Sequence, residues 1–195
     1  MRINYLIIFF LLLSCENKRI DNLNTEITSS KKAKHSISSE TDIEHIRENY
    51  YVGDINNDGE VDTATVIFDK NSKDEIVCDQ VNCYVEIYFG RNIPEIKIDQ
   101  SLGIVVQKVE DLNKDKANEI MLFSRTYEGW WEYISVWSFI NGKWNNLGQT
   151  KAFITKDKDF ENRIIKENGQ FYLIGDEWND DKGGVLERNL KVKIK

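Results

Sequence analysis

The chain has 195 residues, 41% of them hydrophobic, and a formal net charge of -7. That is one domain's worth of apolar material, and the acidic balance lacks the basic footprint that a nucleic-acid binder needs. The two histidines, His35 and His45, both sit near the N-terminus and leave little material for imidazole catalysis or a histidine-rich metal site. A single proline, Pro94, and many Val, Ile, Tyr, Phe and Thr residues favour strands over helices.

The chain opens with Met1, Arg2, Ile3 and Asn4, a short positive start, and continues as an apolar run over residues 5–13. Nine residues fall well short of the roughly 20 needed to span a bilayer, but they suit the apolar region of a secretory signal. The run ends in Leu12, Leu13, Ser14 and Cys15. These residues resemble the lipobox of bacterial lipoproteins, in which the cysteine is acylated and becomes the new N-terminus. The resemblance implies a signal peptide over 1–14, a lipid anchor on Cys15 and a place in the bacterial cell envelope, outside the cytoplasm. An ordinary signal peptide with a chance cysteine is the alternative. Residues 15–46 are rich in Asn, Lys, Ser, Thr and Glu without apolar period, the composition of a flexible tether. A helical turn over 42–46 is expected at its end, and the domain itself occupies 47–195.

The first informative segment is Asp54, Asn56, Asp58, Glu60 and Asp62, followed by alternation of Ala64, Val66 and Phe68 with Thr63, Thr65 and Ile67. Oxygen side chains at every second position of a tight loop converge on one centre, which is how a hard cation wanting six to eight oxygens is held. Next come Cys78 and Cys83, with four residues between them among β-formers. That spacing suits a disulfide across a hairpin neck in an oxidising compartment, with two free buried thiols as the alternative. A strand follows in which Cys83, Val85, Ile87 and Phe89 share a face.

The loop then recurs as Asp111, Asn113, Asp115, Ala117 and Glu119, starting 57 positions after the first and again leading into a β run, Ile120, Met121, Leu122, Phe123. An EF-hand would need an acid at position 12 and a helix beyond. Position 12 is Thr65 in one loop and Leu122 in the other, and the acid stands at position 9 instead. Loops of this form followed by a strand resemble the FG-GAP and VCBS repeats, the calcium-loop blades of integrin-type β-propellers. That likeness implies calcium held by the side chains of Asp54, Asn56, Asp58 and Asp62 with the Glu60 carbonyl. A second ion would be held by Asp111, Asn113, Asp115 and Glu119 with the Ala117 carbonyl. Metal-free Asx turns remain the alternative for both. Position 6 is Gly59 in the first loop and Lys116 in the second. If it requires a left-handed backbone, lysine costs about 1 kcal/mol or more, so the second loop is expected to bind more weakly.

Tyr127, Trp130, Trp131, Tyr133, Trp137 and Trp144 crowd one region. They read either as core packing or, at Trp130 and Trp131, as a stacking surface for a sugar ring. Asn141-Gly142 and Asn168-Gly169 each separate alternating segments, the strongest short hairpin signal, and Leu190, Val192 and Ile194 alternate at the C-terminus. The acidic cluster from Asp176 to Gly184 lacks ligand spacing and reads as a solvated loop. Nucleophile-elbow, zinc-protease, phosphate-loop and dinucleotide signatures are missing from the sequence.

The expected fold is all-β, antiparallel hairpins or blades related to FG-GAP repeats. With room for fewer than three blades, the domain is too short for a closed propeller of 4–8. The expected function is a membrane-anchored, calcium-stabilised, non-catalytic module that binds a protein or glycan ligand. A carbohydrate-binding accessory lipoprotein is the alternative, and a glycan-degrading hydrolase the third reading.

Overall fold

The computed structural model describes residues 43–195, apart from positions 74, 79–82, 91 and 127–129. The signal segment, Cys15 and most of the tether therefore lie outside the described residues, as do Tyr127 and Gly129. Among the described residues the domain is all-β, with two short 3-10 turns at Asp157–Phe160 and Asp180–Lys182.

Three antiparallel sheets follow one another along the chain. The first is β1 (Glu44–Gly53), β2 (Asp62–Lys70), β3 (Tyr84–Tyr88) and β4 (Ile96–Asp99), paired in chain order. The second repeats the plan with β5 (Ile104–Val109), β6 (Glu119–Arg125), β7 (Trp131–Ile140) and β8 (Lys143–Phe153). The third has only β9 (Ile164–Glu167), β10 (Gln170–Asn179) and β11 (Val185–Lys193). None closes into a barrel or propeller. This third sheet spans only about 30 residues, Ile164 to Lys193.

Two hydrophobic cores explain the stacking. Val52, Val66, Val85 and Ile87 of the first sheet pack with Ile104, Val106, Ile120 and Leu122 of the second. Met121, Phe123, Ile134 and Val136, from the other face of the second sheet, pack with Leu173 and Ile194 of the third unit. The second sheet is thus buried on both faces, which is why β6 reads as an unbroken apolar run instead of an alternating one. Both Asn-Gly pairs form tight hairpins with positive φ at each residue, 52° and 76° at Asn141-Gly142 and 51° and 80° at Asn168-Gly169. These are the type I′ values that match strand twist.

Two local expectations are corrected. Residues 44–46 form the start of β1 instead of a helical turn, with Ile46 opposite Phe68. An edge strand that is mostly exposed keeps polar residues on both faces, so its period is faint in sequence. Asp176 lies inside β10 and is only 2% exposed, whereas Asp180 and Asp181 are exposed as expected. Arg163 explains the burial, because Nη1 and Nη2 donate to Oδ1 and Oδ2 of Asp176 at 2.9 and 3.0 Å. Such a pair cannot be anticipated from the local run of acids.

Candidate metal centre

Both acidic loops occupy the same place in the architecture, joining the first and second strands of the first two sheets. Their internal hydrogen bonds follow one plan, with one donor to the first aspartate shifted by a residue, from position 5 in the first loop to position 4 in the second. Asp54 accepts from the N–H groups of Asp58 and Gly59, and Asp111 accepts from those of Lys114 and Lys116. Asn56 Nδ2 donates to Asp58 at 2.8 Å, and Asn113 Nδ2 to Asp115 at 2.9 Å. The position-9 acids close each loop the same way: Asp62 accepts from Ile55 N at 3.0 Å and Glu119 from Leu112 N at 2.7 Å. The position-6 backbone is left-handed in both, φ 85° at Gly59 and 74° at Lys116. Position 4 is left-handed too, at Asn57 and Lys114.

The loops also meet. Asp54 N donates to Asn118 Oδ1 at 3.0 Å, and Asn118 N donates to the Asp54 carbonyl at 2.7 Å. Gly53 makes this approach possible: its φ is 78°, and a Cβ there would stand 2.1 Å from Asn118 Oδ1. Asn118 is a tie that the ligand pattern did not single out, since it lies between expected ligands and follows no repeat in the first loop.

Burial separates the two sites. In the first loop Asp58 and Glu60 are exposed and Asp54, Asn56 and Asp62 are half-buried. In the second, Asp111, Asn113 and Asp115 are half-buried and Ala117 and Glu119 are buried, Glu119 completely. One carboxylate oxygen from each of Asp111, Asp115 and Glu119 lies within 4.8 Å of the others. Glu119 Oε1 makes no hydrogen bond of good geometry among the described residues, although Ser138 of β7 lies close enough to favour its charged form. Ser138, fully buried, also accepts from Asn113 Nδ2 at 2.9 Å and is a site neighbour that the sequence pattern did not reveal.

The Glu119 carboxyl is pushed up to about 7, mainly by burial, with the Leu112 N–H and Ser138 pulling against the rise and Asp115 and Asp111 adding to it. Burial likewise raises Asp62, opposed by the Ile55 N–H and aided by the neighbouring acids. A buried carboxylate with an unpartnered oxygen, repelled by two neighbours, is what a divalent cation would relieve. Among the described residues it is the second loop that brings three carboxylates together. Lys116 does hold the left-handed backbone that the expectation of weaker binding at this loop assumed.

The other expected site residues divide. Cys78 and Cys83 are joined as a disulfide with Cα atoms 4.3 Å apart. Trp130 is 57% exposed, but Trp131 is half-buried, edge-on to Phe153 with ring centroids 5.3 Å apart and with Lys151 Nζ 4.8 Å from its centroid. The two tryptophans therefore do not form one open platform. Trp137 and Trp144 pack against the first core, as the packing reading expected. Comparison with protein-family models, curated proteins and solved structures finds no match to this chain.

Proposed function

We propose that the chain is an exported, lipid-anchored, non-catalytic binding module whose all-β domain is stabilised by calcium at residues 111–119. The observation that carries it is the buried, unpartnered Oε1 of Glu119 beside Asp111 and Asp115. Hard oxygen donors at alternate positions suit calcium, with Asn113 and the Ala117 carbonyl completing the set that the FG-GAP likeness implies. The first loop, with Asp54, Asn56, Asp58, Asp62 and the Glu60 carbonyl, follows much the same hydrogen-bond plan and is the weaker, more open site. Cys15 supplies the envelope anchor, and the Cys78–Cys83 disulfide fits an oxidising compartment.

A hydrolase reading is less well supported. Outside the loops the fully buried carboxylate among the described residues is Asp176, which Arg163 and Arg188 neutralise.

A ligand that binds only the folded state stabilises it by RT ln(1 + [L]/Kd), about 2.7 kcal/mol at a hundredfold excess over Kd. Thermal melting of the metal-stripped domain, with and without millimolar calcium, tests the reading. Calcium raises the melting temperature, magnesium replaces it poorly, and Asp115→Ala removes more of the gain than Asp58→Ala. A melt indifferent to calcium overturns the reading.

A further inference from the structure

The outer face of the first sheet carries two adjoining clefts, of about 960 and 630 Å³, that share Arg47, Ile67 and Tyr88 in their walls. They run from the first acidic loop to the His45–Asp69 pair at the far end of β1 and β2. Strand pleating explains the face: Val66, Phe68, Val85 and Ile87 point into the core, so Thr65, Ile67, Glu86 and Tyr88 point out.

From this surface we infer a binding trough for a neutral polysaccharide chain, centred on Tyr88. The inference rests on the binding-module half of the function proposed above and supplies its ligand class. The Tyr88 ring is 40% exposed beside Ile67, an apolar strip along the floor. Its hydroxyl donates to Glu86 at 2.6 Å, which fixes the ring's position. Hydrogen-bonding groups flank the strip: Arg47, Thr63 and Asn92 line the larger cleft, and Thr65 donates to Asn49 at 2.8 Å. A sugar ring has this division, an apolar C–H face and a rim of hydroxyls that both donate and accept. Tyr84 adds a second ring in the smaller cleft, although Lys97 Nζ lies 3.5 Å from its centroid and covers one face.

Charge selects among glycans. In the smaller cleft Arg47 stands against Asp69 and Glu86, acids outside the calcium loops, so the lining there is net acidic and repels uronic-acid or sulfated chains. A volume of about 960 Å³ is at the upper end of ordinary ligand sites, consistent with more than one sugar unit.

The test is affinity electrophoresis of the intact domain through gels containing mixed-linkage β-glucan, xyloglucan, galactomannan or soluble starch. Polygalacturonate and oligolysine serve as charged comparators. At least one neutral glycan retards the protein, Tyr88→Ala weakens that retardation about tenfold, and Tyr88→Phe, which keeps the ring, retains most of it. Trp130→Ala leaves it unchanged. An unaltered melting temperature for Tyr88→Ala shows that the fold is intact, and the phenylalanine variant keeps the test decisive if it is not. Retardation by none of the four neutral glycans, or retardation that Trp130→Ala abolishes and Tyr88→Ala spares, overturns the inference. Binding of polygalacturonate or oligolysine in their place overturns it as well. Calcium binding at residues 111–119 is read separately, so either claim can fail alone.

Discussion

Replacing Arg163 by methionine removes the one cation held wholly inside the domain among the described residues. The guanidinium is 0% exposed and the Asp176 carboxylate 2%, and they join through two hydrogen bonds of 2.9 and 3.0 Å. Arg163 also donates to the carbonyls of Asp159 at 2.7 Å and Ile174 at 3.4 Å. Truncating one partner of a buried ion pair leaves an uncompensated charge and costs about 3–5 kcal/mol. Asp176 would keep two donors, Phe153 N at 2.9 Å and Arg188 Nε at 3.2 Å, and the Arg188 side chain is 37% exposed and free to adjust. The lower part of the range, about 3 kcal/mol, is therefore expected for Arg163→Met. With a urea slope of about 2 kcal/mol per molar, the unfolding midpoint falls by about 1.5 M. The double variant Arg163→Met, Asp176→Leu removes both charges and should recover most of the loss. Urea unfolding followed by tryptophan fluorescence measures both. A single variant costing less than about 1 kcal/mol, or a double variant less stable than the single, would refute the argument that this pair is buried and mutually dependent.

Gly175→Ala places a Cβ 2.5 Å from the Lys151 carbonyl and 2.2 Å from Thr150 Oγ1. The contact with backbone cannot yield, so a loss of about 1–3 kcal/mol is expected in the same unfolding assay. The metal-free domain should lose stability as pH rises from about 4.5 through about 7, because Glu119 holds its proton more tightly folded than unfolded. Melting temperatures across that range check the sign, and Glu119→Gln should flatten the dependence. Calcium reverses it, since the cation displaces that proton and binds more tightly above pH 7. Cys15→Ser should abolish incorporation of labelled fatty acid in a bacterial host, with unchanged labelling counting against the anchor.

Much of the fold is written locally. Alternation of Ala64, Val66 and Phe68 gives β2, and the two Asn-Gly pairs place the β7–β8 and β9–β10 hairpins, because turn chemistry and pleat act over a few residues. What depends on distant partners is not legible in the same way. Asp176 looks like part of a solvated acidic run until Arg163 is brought against it, and Glu44, His45 and Ile46 look like tether until β2 pairs with them. The loop pattern shows which oxygens share a turn, but the difference in burial between the two loops comes from the rest of the fold. Sheet stacking buries Glu119 and leaves Asp62 half-open, which a nine-residue motif cannot encode. The trough on the first sheet is illegible for the same reason: Arg47, Ile67 and Tyr88 come from three strands, and only their register sets them side by side.

Calorimetric titration of calcium into the metal-stripped domain tests the central claim most directly. The account predicts saturable binding in wild type that Asp58→Ala retains and that Glu119→Gln, which leaves the fold and the loop's length intact, abolishes at the tighter site. Heats no larger than dilution in the wild type, or binding that survives Glu119→Gln undiminished, would contradict it.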